Sequence, residues 1–472
     1  METQCSGTQL EFQGIGGRRV QAEFDGGHIT SDGGVLLLRE LDERLGICRR
    51  FAGCFEDHRD PDLIEHTVEE LVRQRVYGVA LGYEDLNDHE DLRRDPLLAV
   101  AAGKVDPEGQ TRKRAQDVGC ALAGKSTLNR LELTPERVDP SNRYQKIVHH
   151  AEQIEELFVT LFLEGHPEEP DEVVLDFDAT DDPLHGEQEG RFFHGYYGEY
   201  CYLPLYVFCG DHLLVARLRT SDRDASDGST EILTWLVGRL RERWPHTRIV
   251  ARGDSGFARD DFMNACEGLE QVYYLLGVAK NVRLLQKIGG ELVQARDRYQ
   301  ETGQAARVFT EFLYRTRKSW GRKRRVIAKA EHLAKGPNPR FIVTNLPRDY
   351  AAPQTLYEQR YCGRGDMENR IKEQQLDLFA DRTSTHTMRA NQLRLWFASL
   401  AYVLTSAFRR VALKGTRMAR ATCATIRLHL FKIGALVKVT VRRVVARLAS
   451  ACPYQDVFYH AYHHLRSLPL RC

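Results

Sequence analysis

Several things are missing from this sequence, and each absence removes a class of protein. The 11 cysteines include no CxxC pair, and the opening residues METQCSGTQLEF lack the basic-then-apolar order of a secretion signal. A disulfide-stapled secreted scaffold is thereby excluded, and a cytoplasmic protein is expected. The longest apolar stretch, Leu395 to Phe408, runs for about 14 residues where a bilayer span takes about 20, so no membrane segment is expected. Neither Cys201 and Cys209 nor His460, His463 and His464 have a four-ligand zinc spacing. Internal repeats and low-complexity tracts are absent, which excludes a solenoid.

Net charge is also missing, because 67 Lys and Arg face 66 Asp and Glu for a formal total of +1. A neutral total hides how charge is distributed. Arg307 to Lys335 holds ten Lys or Arg against Glu311 and Glu331, and Arg409 to Cys472 holds thirteen against Asp456 alone. Two basic stretches inside a neutral chain point to a polyanionic partner. With 42% hydrophobic and 9% aromatic residues over 472 positions, the chain can bury a sizeable core and is long enough for two or three structural units.

Short alternating segments, LEFQG and RRVQAEFDGG, open the chain, and helical periodicity follows. Ser31-Asp32 is positioned to cap GGVLLLRELDERLG, and HTVEELVRQRVYGVALGY carries apolar residues at helical spacing. The polar, proline-containing EGHPEEPD, Glu164 to Asp171, marks a boundary. Beyond it, strands are expected at Val173–Phe177, Leu203–Phe208, His212–Leu218 and Arg248–Ala251, with a helix at Thr230–Glu242. Further strands, VYYLLGVA and RFIVTN, flank a basic strand-rich segment, and two long helices occupy about 353–410. Strands first and then mixed strand and helix is the order of an α/β, ribonuclease H-like mixed sheet with flanking helices.

Carboxylates stand where such a sheet would present them. In VVLDFDATDDPLHG, Asp176 and Asp178 share one face of a strand, and either can reach a metal. Asp254 follows another apolar strand in RIVARGDSGF. On a helical reading of YCGRGDMENRIKEQQLDLF, Tyr361, Arg364, Glu368 and Lys372 share a face. Three such carboxylates suit Mg²⁺ or Mn²⁺, which prefer oxygen ligands, and two such ions support in-line displacement at phosphorus. Asp222, Asp224 and Asp227 precede the helix STEILTWLVGRL and suit capping better than metal binding.

Taken together, Asp178-Ala179-Thr180 with His185-Gly186, the block GYYGEYCYLPLYVF, Arg252-Gly253-Asp254-Ser255 and Tyr361-x-x-Arg364-x-x-x-Glu368 resemble the bacterial insertion-sequence transposases of the DDE superfamily. The resemblance implies Asp178, Asp254 and Glu368 as catalytic metal ligands, the threonine two residues on favouring Asp178 over Asp176. It implies a magnesium enzyme, with two ions, that cuts double-stranded DNA at terminal inverted repeats and joins the 3′ ends to a target, acting as a homodimer beside the bacterial nucleoid. The same carboxylates would serve a nuclease of that fold that does not join DNA, and a transposase-derived DNA-binding protein would keep the basic stretches without the chemistry.

The separations, 76 residues from Asp178 to Asp254 and 114 from Asp254 to Glu368, leave room in the second interval for a β-rich insertion. Relatives with one proceed through a hairpin intermediate. The expected division is therefore a mainly helical N-terminal region at 1–165 for DNA-end recognition, catalytic halves at 170–270 and 346–410, a β-rich insertion at 271–345, and a basic segment at 411–472. Tyr361 and Arg364 are expected on a DNA phosphate. Within the insertion, Arg322, Lys323, Arg324 and Arg325 are expected along the DNA backbone and Trp320 at a hairpin tip against an unpaired base. Where the family often has a lysine seven residues past the glutamate, this chain has Gln375, and Lys372 is the substitute cation on the same face.

Overall fold

The structure, a computed structural model, describes residues 9–469. The chain forms two compact units, one from His150 to Ser399, the other combining the residues up to His149 with those from Leu400 onward. The helix Ala151–Glu164, which the sequence reading placed before the boundary, thus belongs with the segment that follows it.

A nine-stranded mixed sheet organises the unit from His150 to Ser399. In spatial order its strands are His212–Arg217, Leu205–Cys209, Glu172–Ala179, Arg248–Gly253, Val272–Val278, Arg340–Thr344, Arg324–Leu333 and Ala306–Tyr314, with the short Gly336–Pro337 paired to Arg324–Leu333. Glu172–Ala179 runs antiparallel to Leu205–Cys209 and parallel to Arg248–Gly253, which is itself parallel to Val272–Val278. This is the ribonuclease H-like mixed sheet expected from the order of elements. Leu175 and Phe177 turn to a core shared with Ile249, Leu236, Trp244 and Phe262. Strand alternation then puts Asp176 and Asp178 on the opposite face.

The segment 271–345 departs from the picture of a separate insertion. It starts with a parallel strand of the central sheet, passes through the helices Val282–Lys287 and Gly289–Thr302, and returns as antiparallel strands that prolong the same sheet. Pairing of Leu275 with Thr344 and of Val326 with Val343 makes it continuous with the core. After Pro353 the chain forms a broken helical path, including π-helical turns at Leu356–Tyr361 and Glu373–Asp377, before the long helix Met388–Ala412.

The other unit is mainly helical. Thr67 and Glu70 form a reciprocal capping box for Val68–Leu81, and Asp95 caps Pro96–Ala102 with proline in its first turn. Asp32 does not cap Val35–Leu45. It accepts the Tyr83 hydroxyl at 2.6 Å and pairs with Lys432 at 2.7 Å, and the helix begins at Gly34 without a side-chain cap. The expected N-terminal strands form the hairpin Leu10–Ile15 with Arg18–Ala22. Near the C-terminus, the basic stretch supplies the strands Ala435–Thr440 and Arg443–Leu448, which pair with each other and with His28–Thr30.

Candidate active site

Two adjacent parallel strands end side by side, and each delivers a carboxylate. Gly253 is in register with Phe177, so Asp254, the next residue, leaves the sheet beside Asp178. Its side chain accepts the Gly256 amide at 2.8 Å, which fixes the turn. The backbone there is packed so closely that a Cβ on Gly277 would lie 2.5 Å from the Tyr361 hydroxyl and 3.0 Å from the Ser255 nitrogen. Any larger residue at Gly277 would push Tyr361 or the Asp254 turn out of place.

Glu368 comes from the short helix Gly365–Lys372, whose first residues follow Arg364. The Arg364 guanidinium joins the elements: Nη1 donates to Asp178 Oδ2 at 3.2 Å and Nη2 to Glu368 Oε1 at 2.6 Å. Burial pushes Asp178 up to about 7; Arg364 opposes the rise, and the charges of Asp254 and Glu368 add to it. Tyr361 is also pushed up, by burial first, with Arg364 and Asp254 as its charged neighbours. One guanidinium therefore faces three carboxylates, and negative charge is in excess.

Among the described residues, no group of three or more His, Cys, Asp or Glu side chains stands close enough to hold a metal as placed. Here Arg364 lies between two of the carboxylates that would have to converge. The donor set of carboxylate oxygens with surplus negative charge nevertheless fits a hard divalent cation.

The alternative carboxylate, Asp176, is engaged elsewhere. Arg252, its register partner on the next strand, holds it through two donors, Nε to Oδ1 at 2.5 Å and Nη2 to Oδ2 at 2.7 Å, and also reaches the Arg360 carbonyl. Asp176 is 4% exposed and closed off from solvent ligands. Arg252 stands in the motif Arg252-Gly253-Asp254-Ser255, but no role is legible for it in the sequence, because its carboxylate partner lies on the neighbouring strand.

A cavity of about 370 Å³ opens beside Asp254 and Ser255, lined by Gly277, Tyr357, Tyr361 and Phe341, with the exposed Lys280 and Arg340 at its edge. Those two cations and Tyr357 also escaped sequence reasoning, since they carry no motif and only the sheet brings them together. Lys372 is exposed one turn past Glu368, and no ion pair joins the two among the described residues. Gln375 donates to the Asp181 carbonyl at 3.0 Å, a structural bond that a lysine could also make.

The remaining expected DNA contacts are not brought to this site. Trp320 is 5% exposed, donates its indole N–H to the Ala258 carbonyl at 3.2 Å and packs edge-on against Tyr314, so neither ring face is open to a base. Arg324 is buried among Asp260, Asn264 and Glu267, and Arg325 is buried against Glu311. Arg322 is exposed but engages Glu267 and Asn264, whereas Arg315, Arg317, Lys318 and Lys323 of that turn are exposed and have no ion pair among the described residues. In the acidic loop, Asp224 pairs with Arg259 and Asp227 with Arg223; the helix Ser229–Arg241 has no side-chain cap.

Sheet order and a carboxylate-lined strand edge define the class, a ribonuclease H-like α/β protein with an acidic site. The particular family follows from comparison: the family described as "Transposase DDE domain group 1" matches residues 12–470, and the chain belongs to it. No curated protein matches the chain. Among solved structures it is similar to the piggyBac transposase in a synaptic complex with hairpin DNA, with 11% identity, a TM-score of 0.39, and coverage of 85% of this chain and 80% of that one.

Proposed function

We propose that this DNA transposase cleaves double-stranded DNA at terminal inverted repeats and joins the freed 3′ ends to a target by divalent-metal-dependent phosphoryl transfer. The observation that carries the reading is the placing of Asp178 and Asp254 at the ends of adjacent parallel strands, with Arg364 bridging Asp178 to Glu368. Asp178, Asp254 and Glu368 would hold Mg²⁺ or Mn²⁺, two ions serving best. Such ions, when bound, activate a water or 3′-hydroxyl and neutralise the departing oxygen.

The protein's own groups do the rest. Asp178 and Asp254 sit on strand ends, which limits their movement, whereas Glu368 arrives on a short helix and closes the set. Arg364 keeps the carboxylates from repelling one another until they are otherwise neutralised, and its planar fork then suits a DNA phosphate together with the Tyr361 hydroxyl. Lys372, exposed on the same helix, adds a positive charge next to the scissile strand. Pairing of two element ends by a homodimer and a hairpin intermediate belong to the same proposal. No helix among the described residues is long and apolar enough to cross a membrane, and action at the nucleoid follows from the substrate.

The test is cleavage of a labelled element-end duplex in Mg²⁺ by wild type, Asp254→Asn and Glu368→Gln, with binding followed separately by gel shift. Each variant should lose more than about 100-fold in cutting, the ceiling for a change outside the direct ligands, while retaining binding. Undiminished cutting by either variant removes that residue from the site. Cutting without joining to a target duplex would assign a nuclease instead.

A further inference from the structure

The sheet formed by His28–Thr30, Ala435–Thr440 and Arg443–Leu448 has two unlike faces. Register places Thr30 opposite Ala435 and Ala435 opposite Leu448, and Thr30, Ala435 and Val437 are 1%, 2% and 3% exposed. A Cβ on Gly33 would lie 2.5 Å from Leu448 and 2.7 Å from the Ile433 carbonyl, so this face is tightly seated on its own unit. A slip of one residue would turn every side chain over, and the other face is therefore firmly outward.

Outward, the rows are Ile29, Leu436 and Arg447; then Lys438 and Val445; then Thr440 and Arg443, with Arg442 in the turn. Ile29 is 66% exposed and Val445 41%. Among the described residues, none of Lys438, Arg442, Arg443 and Arg447 has a carboxylate partner, and the one acid after Arg409, Asp456, is paired with Arg417. Cations stacked on one face of a ribbon repel one another, which destabilises the isolated face unless a polyanion covers it. A second copy of the chain would meet the face with the same sign of charge, since a two-fold contact sets like patches together.

We propose that this outward face is a DNA-contacting surface in the unit other than the one that carries the carboxylates. Beyond Val437 the strands Ala435–Thr440 and Arg443–Leu448 continue as a two-stranded ribbon that fits a major groove of about 12 Å, where Lys438 and Arg443 meet phosphates and Val445 meets sugars and thymine methyl groups, while Arg447 beside Ile29 and Leu436 meets the flanking backbone. The inference rests on the DNA reading above but needs neither the metal nor the cleavage step.

The test uses the full chain and a short fluorescein-labelled duplex of mixed sequence, with anisotropy measured across a salt series in the absence of divalent ions. For Lys438→Ala/Arg443→Ala/Arg447→Ala, the slope of log affinity against log salt should shrink by about 2.7, near 0.9 per lost phosphate contact. Affinity at low salt should drop by about tenfold or more. Lys438→Arg/Arg443→Lys/Arg447→Lys should keep the wild-type slope, because it preserves charge; loss in that variant too would mean a structural role and overturn the proposal. A wild-type slope in the alanine variant also overturns it, as does a change in sedimentation without a change in DNA binding, which would assign the face to another copy. Should the wild type fail to bind duplex at all, the DNA reading itself falls.

Discussion

Two stretches of this chain are almost equally basic in sequence, and acids neutralise about half of one and none of the other. In 307–335, Arg324 is enclosed by Asp260, Asn264 and Glu267, Arg325 by Glu311 and Lys329 by Glu331, and the exposed Arg307 and Arg322 pair with acids; Arg315, Arg317, Lys318, Lys323 and Lys335 are exposed and have no acid partner among the described residues. In 435–448 the four cations Lys438, Arg442, Arg443 and Arg447 have no acid partner among the described residues. The difference is set by distant acids. Asp260 and Glu267 lie on the helix Asp260–Gly268, more than fifty residues before the arginine that they hold, and the sheet brings them under it. A local charge count therefore overstates the cationic surface of one stretch and is fair for the other.

The largest effect should come from breaking the neutralised set. Arg324→Ala strands Asp260 and Glu267 beside a buried gap, and loss of one partner from a buried ion pair costs about 3–5 kcal/mol. Chemical denaturation of the His150–Ser399 unit would measure it. Arg324→Lys should recover only part, since one ammonium cannot serve Asp260, Glu267 and Asn264 at once. A loss under about 1 kcal/mol would show that these arginines are not structural, and the contrast would fail.

Between the extremes lies the acidic site, where charge is unbalanced in the other direction. Asp178 is held at about 7 in the folded protein against an ordinary value of 3.8. A raised carboxylate binds its proton more tightly folded than unfolded, so its ionisation opposes folding. The penalty is absent below about pH 4, grows as pH rises to about 7, and is constant above. Asp178→Asn should thus be more stable than wild type by about 2–4 kcal/mol at about pH 8 without divalent ions, with the gain shrinking toward about pH 5. Equal stability of the two proteins at the higher pH would mean that Arg364 already balances the site.

Much of the sheet could be read from the sequence, because apolar runs of strand length and the turns between them are local signals. The positions of Asp178 and Asp254 at strand ends and of Glu368 on a helix were legible for a related reason, since each follows an apolar run or a helical spacing. What could not be read depended on tertiary neighbours. Trp320, basic on both sides, looked exposed, yet Tyr314 and the Ala258 carbonyl bury it. Segment 271–345 looked like an insertion because of its length, but register with Val272–Val278 makes it part of the central sheet. Asp176 and Asp178 were equivalent on a strand until Arg252, from the neighbouring strand, engaged one of them.

The smallest expected effect is the counterpart of the first. Replacing Lys438, Arg443 and Arg447 with alanine removes three cations, as against one in Arg324→Ala, yet these side chains are exposed and hold no carboxylate. Surface substitutions of that kind stay within about 0.5 kcal/mol each, and relief of mutual repulsion pushes the sum toward stabilisation. Thermal unfolding in low salt, where repulsion is least screened, is the sensitive measurement, and a small rise in melting temperature that disappears at high salt is expected. A marked loss of stability would mean that the outward face is held by contacts within its own unit, and the bare stretch would then resemble the neutralised one.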